Sequence, residues 1–284
     1  MVEEIVYCKF LEWLAEDIPF WDATSELLPE NISCKAVVLA KEDGVAACTE
    51  EIAYILQRLG LEVAVLKKSG EEFRLGEILL EIKGNMRKVL SAERLVLNIL
   101  SHTCGIATAT RRLVEKVKKI SPRTRIAATR KTLPGLRYFE KKAVEAGGGD
   151  THRLSLSDMI LIKDNHLKYF KSVKSAVEKA KEKNSFYRKI EVEVSNLNEA
   201  IEAAEAGADI VMLDNFTPEE VAETIKVLEE KGLRNRVLIE VSGGVTEENI
   251  VEYAKAQPDV ISLGILTHSA KAVDLSLEVT GVWK

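Results

Sequence analysis

The sequence predicts an α/β protein in two parts, a small α+β layer followed by a series of β/α units. Two observations predict it. The 284-residue chain changes rhythm near residue 105, and from residue 124 short apolar runs alternate with amphipathic stretches. Near-continuous apolar strands each followed by a helix indicate a parallel sheet covered by helices. A third observation concerns chemistry: each later apolar run ends in a short polar signature, so the functional groups gather at one end of the strands.

Taken in order, the first part offers a helix over 3–16, a turn at Pro19 and β-like pieces at 35–40, 62–67 and 77–83. A helix over 48–59 ends at Gly60. Strong helical periodicity then runs through 86–119 and forms a long connection. The second part has strands at 124–129, 159–163, 190–194, 210–213, 237–241 and 260–263. Helices fall between them at 136–146, 168–183, 197–206, 218–231 and 247–256.

Composition excludes several function classes. With 46% apolar and 30% charged residues the chain reads as globular. Its 45 carboxylates against 40 Lys and Arg argue against nucleic acid as a partner, because backbone binding needs a cationic surface. Cys8, Cys34, Cys48 and Cys104 are scattered, with neither metal-ligand spacing nor a disulfide framework. The N-terminus carries acids from its third residue and lacks a cationic leader, and no run reaches the roughly 18 apolar residues of a membrane span. A cytoplasmic protein is expected.

The polar signatures are Lys163 with Asp164, Asn165 and His166, then Glu193, Asp214 with Asn215, Ser242 with Gly243 and Gly244, and Gly264. Their successive spacings of 30, 21, 28 and 22 residues each fit a strand, a helix and two loops. In a β/α barrel all strand C-termini share one face, so these residues converge on one mouth. A doubly wound open sheet is the competing geometry and would use only the crevice at its switch point. Polar groups after nearly every strand favour the barrel.

Arg130 and Lys131 follow the 124–129 strand and precede Pro134–Gly135. They suit a solvated loop, but the fixed turn aims them at the same mouth. Three glycines at 147–149 precede His152 and Arg153 and read either as a flexible loop or as a close approach of the chain. Lys163 closes an apolar strand, where a lone ammonium is costly without an anion beside it. Period 2 puts Glu191 and Glu193 on one side, one inside the barrel and one nearer the mouth. Asp214 is free for a ligand or metal because Thr217, just before Pro218, is the better helix cap. Gly243, Gly244 and Gly264 let backbone N–H groups approach a phosphate, although a plain Gly-Gly turn fits the first two as well. Cations, two carboxylates and a neutral nest together suit a polyanionic substrate pair: a phosphorylated sugar diphosphate and a polycarboxylate.

The segments ERLVLNILSHTCGIAT (93–108), TRKTLPGLR (129–137), GGGDTHRLSLSDMILIKDNH (147–166), EVEV (191–194), MLDN (212–215), EVSGG (240–244) and ISLG (261–264) closely resemble those of the quinolinate phosphoribosyltransferase family. Seven motifs in order span essentially the whole chain. The resemblance implies an N-terminal α/β sandwich domain (1–105, joined by the tail 270–284) and an incomplete, six- or seven-stranded β/α barrel (106–269). It implies transfer of phosphoribose from phosphoribosyl pyrophosphate to quinolinate with decarboxylation, giving nicotinate mononucleotide in NAD synthesis with Mg²⁺.

Position by position, the resemblance implies quinolinate-binding roles for Arg94, Arg130, His152 and Arg153, with Lys131 and Lys163 between the two substrates. It assigns Glu193 and Asp214 to the ribose hydroxyls and the Mg²⁺–pyrophosphate region. Ser242, Gly243, Gly244 and Gly264 go to the 5′-phosphate, with His268 on the phosphate side. Arg94 is implied to act in the site of a neighbouring subunit, making the protein a homodimer or a larger assembly of dimers. Two other readings stay open: a related molybdenum-locus phosphoribosyltransferase-like enzyme, and a non-catalytic phosphosugar- or carboxylate-binding protein. Retention of the TRK and HR motifs argues against the first; Glu193 and Asp214 argue against the second.

Overall fold

The computed structural model describes residues 2–284, which form two compact units. The first comprises the chain up to Arg111, the segment Tyr138–Gly148 and the tail Ala270–Lys284; the second comprises Arg112–Arg137 and Gly149–Ser269. The boundary expected at 105/106 falls inside one long helix, and the helix expected at 136–146 belongs almost entirely to the first unit.

In the first unit, helix α1 (Val2–Asp17) precedes strands β1 (Ser33–Ala40) and β2 (Gly44–Val45), helix α2 (Thr49–Arg58), and strands β3 (Glu62–Val65), β4 (Glu72–Phe73) and β5 (Ile78–Asn85). Helix α3 (Met86–Lys118) leaves it after Arg111. The four-stranded sheet has the order β12-β1-β5-β3 and is antiparallel, with β12 (Leu275–Trp283) supplied by the tail. The tail strand pairs with β1 along its whole length. Glu50 and Glu51 in the first turn of α2 and Arg58 in its last complement the helix dipole. Phe10, Ile52, Ile55, Leu80 and Ile82 are fully buried.

The second unit holds a six-stranded sheet in which every pair is parallel. Its strands are β6 (Arg125–Ala127), β7 (Ile160–Ile162), β8 (Ile190–Val194), β9 (Ile210–Asp214), β10 (Leu238–Ser242) and β11 (Val260–Ser262), in the order β6-β11-β10-β9-β8-β7. No pairing joins β6 to β7 among the described residues, so this is an incomplete barrel of six strands. Helix α4 (Arg137–Ala146) follows β6 in sequence. Helices α5 (Asp164–Leu167), α6 (Val173–Lys183), α7 (Leu197–Ala206), α8 (Pro218–Glu230), α9 (Ile250–Lys255) and α10 (Ile265–His268) follow the other strands. Strand residues such as Val192, Val211, Val241 and Ile261 pack with Ala200, Val221 and Ile250 of the helices.

Caps set the helix boundaries. Asn196 accepts the Glu199 N–H to start α7, and Gly207, at φ 78°, ends it in the left-handed region. Thr217 and Glu220 form a reciprocal capping box ahead of Pro218 at the start of α8. Two expectations differ from the structure. The helix expected over 168–183 starts only at Val173, because Ser172 and Ser175 form their own capping box there. The helix expected from 247 begins at Ile250: the Asn249 side chain accepts from Thr246 N–H and donates to Gly244 C=O, holding the loop open.

Candidate active site

A cavity of about 590 Å³ opens at the C-terminal ends of the barrel strands. Ten of the thirteen residues singled out in the sequence line it. Arg130 and Lys131 come from the loop after β6, His152 and Arg153 from the segment before β7, and Lys163 from the end of β7. Glu193 comes from β8, Asp214 from β9, and Ser242, Gly243 and Gly244 from β10 and its loop. Gly264 and His268 lie beside this set: a Cβ built on Gly264 would sit 2.8 Å from Lys131 Cδ and 3.0 Å from His268 Nε2. Arg94 does not line the cavity; it is an exposed residue of α3 within the first unit.

The cationic side is built from loops pinned by local hydrogen bonds. Thr129 Oγ1 accepts from Lys131 N–H, and Thr267 Oγ1 donates to Lys131 C=O at 2.6 Å. Arg130 Nε is buried without a hydrogen-bond partner. Burial, and then the Arg130 charge, push the Arg153 guanidinium below its ordinary range, so two cations crowd one side of the cavity. An anion between them would relieve both costs, and a planar carboxylate fits the guanidinium fork.

His152 differs from the other two. It lies at φ 53°, in the left-handed region, and Asp150 Oδ1 accepts its N–H at 2.8 Å to hold the bend. Its Nδ1 accepts the Arg153 N–H at 2.7 Å, so the ring proton belongs on Nε2. Nε2 faces Glu240 Oε2 at 3.1 Å and Glu191 Oε2 at 3.6 Å. The residue lines the cavity while its Nε2 edge meets these two buried carboxylates. The triple glycine before it serves close approach: a Cβ on Gly147 would stand 2.5 Å from Thr110 Cβ and 2.6 Å from Ala107 C=O.

On the opposite side Lys163 Nζ meets Glu193 Oε2 at 2.6 Å, the anion its strand-end position demanded. The Lys163 side chain is 45% exposed, so it is not the buried ammonium expected, while Glu193 is only 11% exposed. Burial first, and then the Glu193 charge, raise the Asp214 carboxyl above its ordinary range, and the Asn215 amide donates to it at 2.7 Å. Period 2 behaves as anticipated: Glu191 is fully buried inside the barrel and Glu193 reaches the cavity.

The glycine loop is shaped by close approach as well. Gly243 and Gly244 have φ of 81° and 65°, and a Cβ on Gly243 would lie 2.4 Å from Asn215 Oδ1. The sequence reading missed Glu240 and Ser262, which line the same cavity; Ser262 Oγ is buried without a partner. Glu240 stands two residues before Ser242 in an otherwise apolar strand, a signal equivalent to the one that singled out Glu191.

The chain matches the family model "Quinolinate phosphoribosyl transferase, C-terminal domain" over residues 106–278 and the corresponding N-terminal domain model over 22–104. The chain belongs to the quinolinate phosphoribosyl transferase family. Among its relatives, the Archaeoglobus fulgidus protein named "Probable nicotinate-nucleotide pyrophosphorylase (carboxylating)" is 47% identical, covering 92% of this chain and 99% of that protein. The human nicotinate-nucleotide pyrophosphorylase (carboxylating) is 38% identical over 94% of this chain and 89% of its own. The solved nicotinate-nucleotide pyrophosphorylase from Francisella tularensis superposes with a TM-score of 0.90 at 37% identity, covering 98% and 97% of the two chains. Family membership covers both units, and among the described residues no helix is long and apolar enough to cross a membrane.

Proposed function

We propose that the protein transfers phosphoribose from phosphoribosyl pyrophosphate to quinolinate and decarboxylates the adduct, giving nicotinate mononucleotide, pyrophosphate and carbon dioxide for NAD synthesis in the cytoplasm. One observation carries the reading. A crowded pair of guanidinium groups, Arg130 and Arg153, shares a single cavity with two carboxylates, Glu193 and Asp214, and a left-handed glycine loop. This charge sorting suits a dicarboxylate on one side and a phosphorylated sugar on the other. A non-catalytic binder needs no carboxylate pair beside the sugar.

Arg130 and Arg153 grip the two adjacent carboxylates of quinolinate and hold the ring nitrogen toward the sugar. Ser242 and the N–H groups of Gly243 and Gly244 cradle the 5′-phosphate, with Gly264 and His268 beside them. The nitrogen's lone pair forms a bond to the anomeric carbon as the carbon–oxygen bond to pyrophosphate breaks. Positive charge gathers on the ribose, and Glu193 and Asp214 stabilise it. Lys131 and Lys163 lie where the departing diphosphate needs cations. Once alkylated, the ring nitrogen accepts charge, so the bond to the C2 carboxylate breaks with its electrons left on C2 until a proton replaces the lost carbon dioxide.

Two hard oxygen donors side by side, one with a raised carboxyl, also fit Mg²⁺, with Glu193 and Asp214 holding it directly or through water. When bound, the ion supplies charge neutralisation on the pyrophosphate. Arg94, exposed on α3, completes the dicarboxylate grip in the site of a second subunit.

Purified protein incubated with phosphoribosyl pyrophosphate, Mg²⁺ and quinolinate labelled in its C2 carboxylate tests the reading. Labelled carbon dioxide and nicotinate mononucleotide should appear in equal amounts, and only when all three components are present. Binding of both substrates without release of label would leave the non-catalytic reading standing.

A further inference from the structure

We propose that Glu240 is a positioning residue for Arg153, acting through the His152 ring. The inference rests on the quinolinate reading of the cavity. Glu240 on β10 is 1% exposed, Glu191 on β8 is fully buried, and the His152 side chain is 11% exposed. A carboxylate in the middle of a barrel is costly and needs a compensating partner.

The hydrogen bonds supply that partner in a definite order. Glu240 Oε2 accepts from His152 Nε2 at 3.1 Å, and His152 Nδ1 accepts from the Arg153 N–H at 2.7 Å. The imidazole therefore ties the Arg153 backbone to a carboxylate that lies 88 positions beyond His152 in sequence. His152 can do this only as the neutral ring with its proton on Nε2, because Nδ1 has spent its lone pair. The left-handed backbone at His152 turns the ring inward while Arg153 turns toward the cavity. The Glu240 charge also acts on the Arg153 guanidinium, favouring its charged form against burial.

A metal centre is the competing use of this cluster, since His152, Glu191 and Glu240 offer ligand atoms within 4.8 Å of one another. Metal binding through Nε2 would need the ring proton on Nδ1, which already accepts the Arg153 N–H, so the relay and three-ligand binding exclude each other.

The test compares two variants. E240Q keeps an oxygen that can accept the His152 N–H; E240L has similar volume and keeps none. Calorimetric titration should show quinolinate binding weakened roughly tenfold or more in E240L and no more than about threefold in E240Q. Binding of phosphoribosyl pyrophosphate with Mg²⁺ should stay within about twofold of wild type in both. Nitrogen-15 NMR of histidine-labelled wild-type protein should find His152 neutral with its proton on Nε2. Quinolinate binding that survives E240L, or equal weakening of both substrates, overturns the relay. A charged or Nδ1-protonated His152 in wild type overturns it even if E240L fails to fold. Wild-type protein that does not bind quinolinate brings down the functional reading instead, and the relay with it.

Discussion

Glu191 is the residue whose environment departs furthest from its chemistry. Burial first, and the neighbouring Glu240 charge second, raise its carboxyl to about 8, and neither oxygen has a hydrogen-bond partner. The charges of Arg153 and Lys163 oppose the shift without cancelling it. The folded protein thus keeps a proton here that the unfolded chain releases near pH 4.5. The stability this contributes is fully present below about pH 4.5 and is lost as pH rises through about 8. In chelator-containing buffer, E191Q, which is neutral at every pH, should therefore melt higher than wild type at pH 8.5 and nearly level with it at pH 5. Parallel melting curves across that range would place the charged carboxylate in a far better-solvated site than this one. Part of this was legible beforehand, since alternation along EVEV put one glutamate inside. The pairing with Glu240 was not, because it joins strands separated in sequence by a whole β/α unit.

At the scale of elements, strand ends decide the chemistry and helix caps decide the boundaries, and α8 separates the two duties. Thr217 and Glu220 cap the helix reciprocally, leaving Asp214, at the end of β9, in the cavity. T217A should lower stability by about 1 kcal/mol, the usual cost of losing such a cap, with kcat and both KM values near wild type. D214N should do the reverse: turnover falls at least about a hundredfold while the melting midpoint moves by no more than a few degrees. Thermal melts and steady-state kinetics on the two proteins check the division, and a D214N protein that melts like a core truncation would return Asp214 to a structural role. The strands were readable because apolar runs bounded by turns leave few alternatives. The broken helix at 164–183 and the late start at Ile250 were not, since each turns on one side chain, Ser172 or Asn249, competing with the backbone for hydrogen bonds.

At the scale of the molecule, periodicity alone could predict a row of parallel strands and the face on which their ends gather, but not whether the row closes. Closure depends on pairing between β6 and β7, which leaves no local mark, and the family resemblance rather than the pattern supplied the incomplete barrel. Arg94 is a similar case: an exposed arginine in a helical stretch carries no signal of its own, so its assignment to a neighbouring subunit's site rests on the resemblance and needs a test that isolates it. In the proposed two-fold dimer, each site combines the barrel of one chain with Arg94 of the other. R94A and R153A proteins, each inactive alone, are unfolded together and refolded, or co-expressed, so that subunits mix. In a mixed dimer the barrel of the R94A chain keeps its own Arg153 and receives an intact Arg94, so that site is whole; the second site lacks both groups. Random pairing makes about half the dimers mixed, and activity should return to roughly a quarter of the wild-type value if the symmetry is closed and the sites are independent. An Arg94 that serves its own chain leaves every site one arginine short and restores nothing. Subunit exchange verified by mass-tagged chains, with no recovery of activity, would confine Arg94 to its own subunit or remove it from the site.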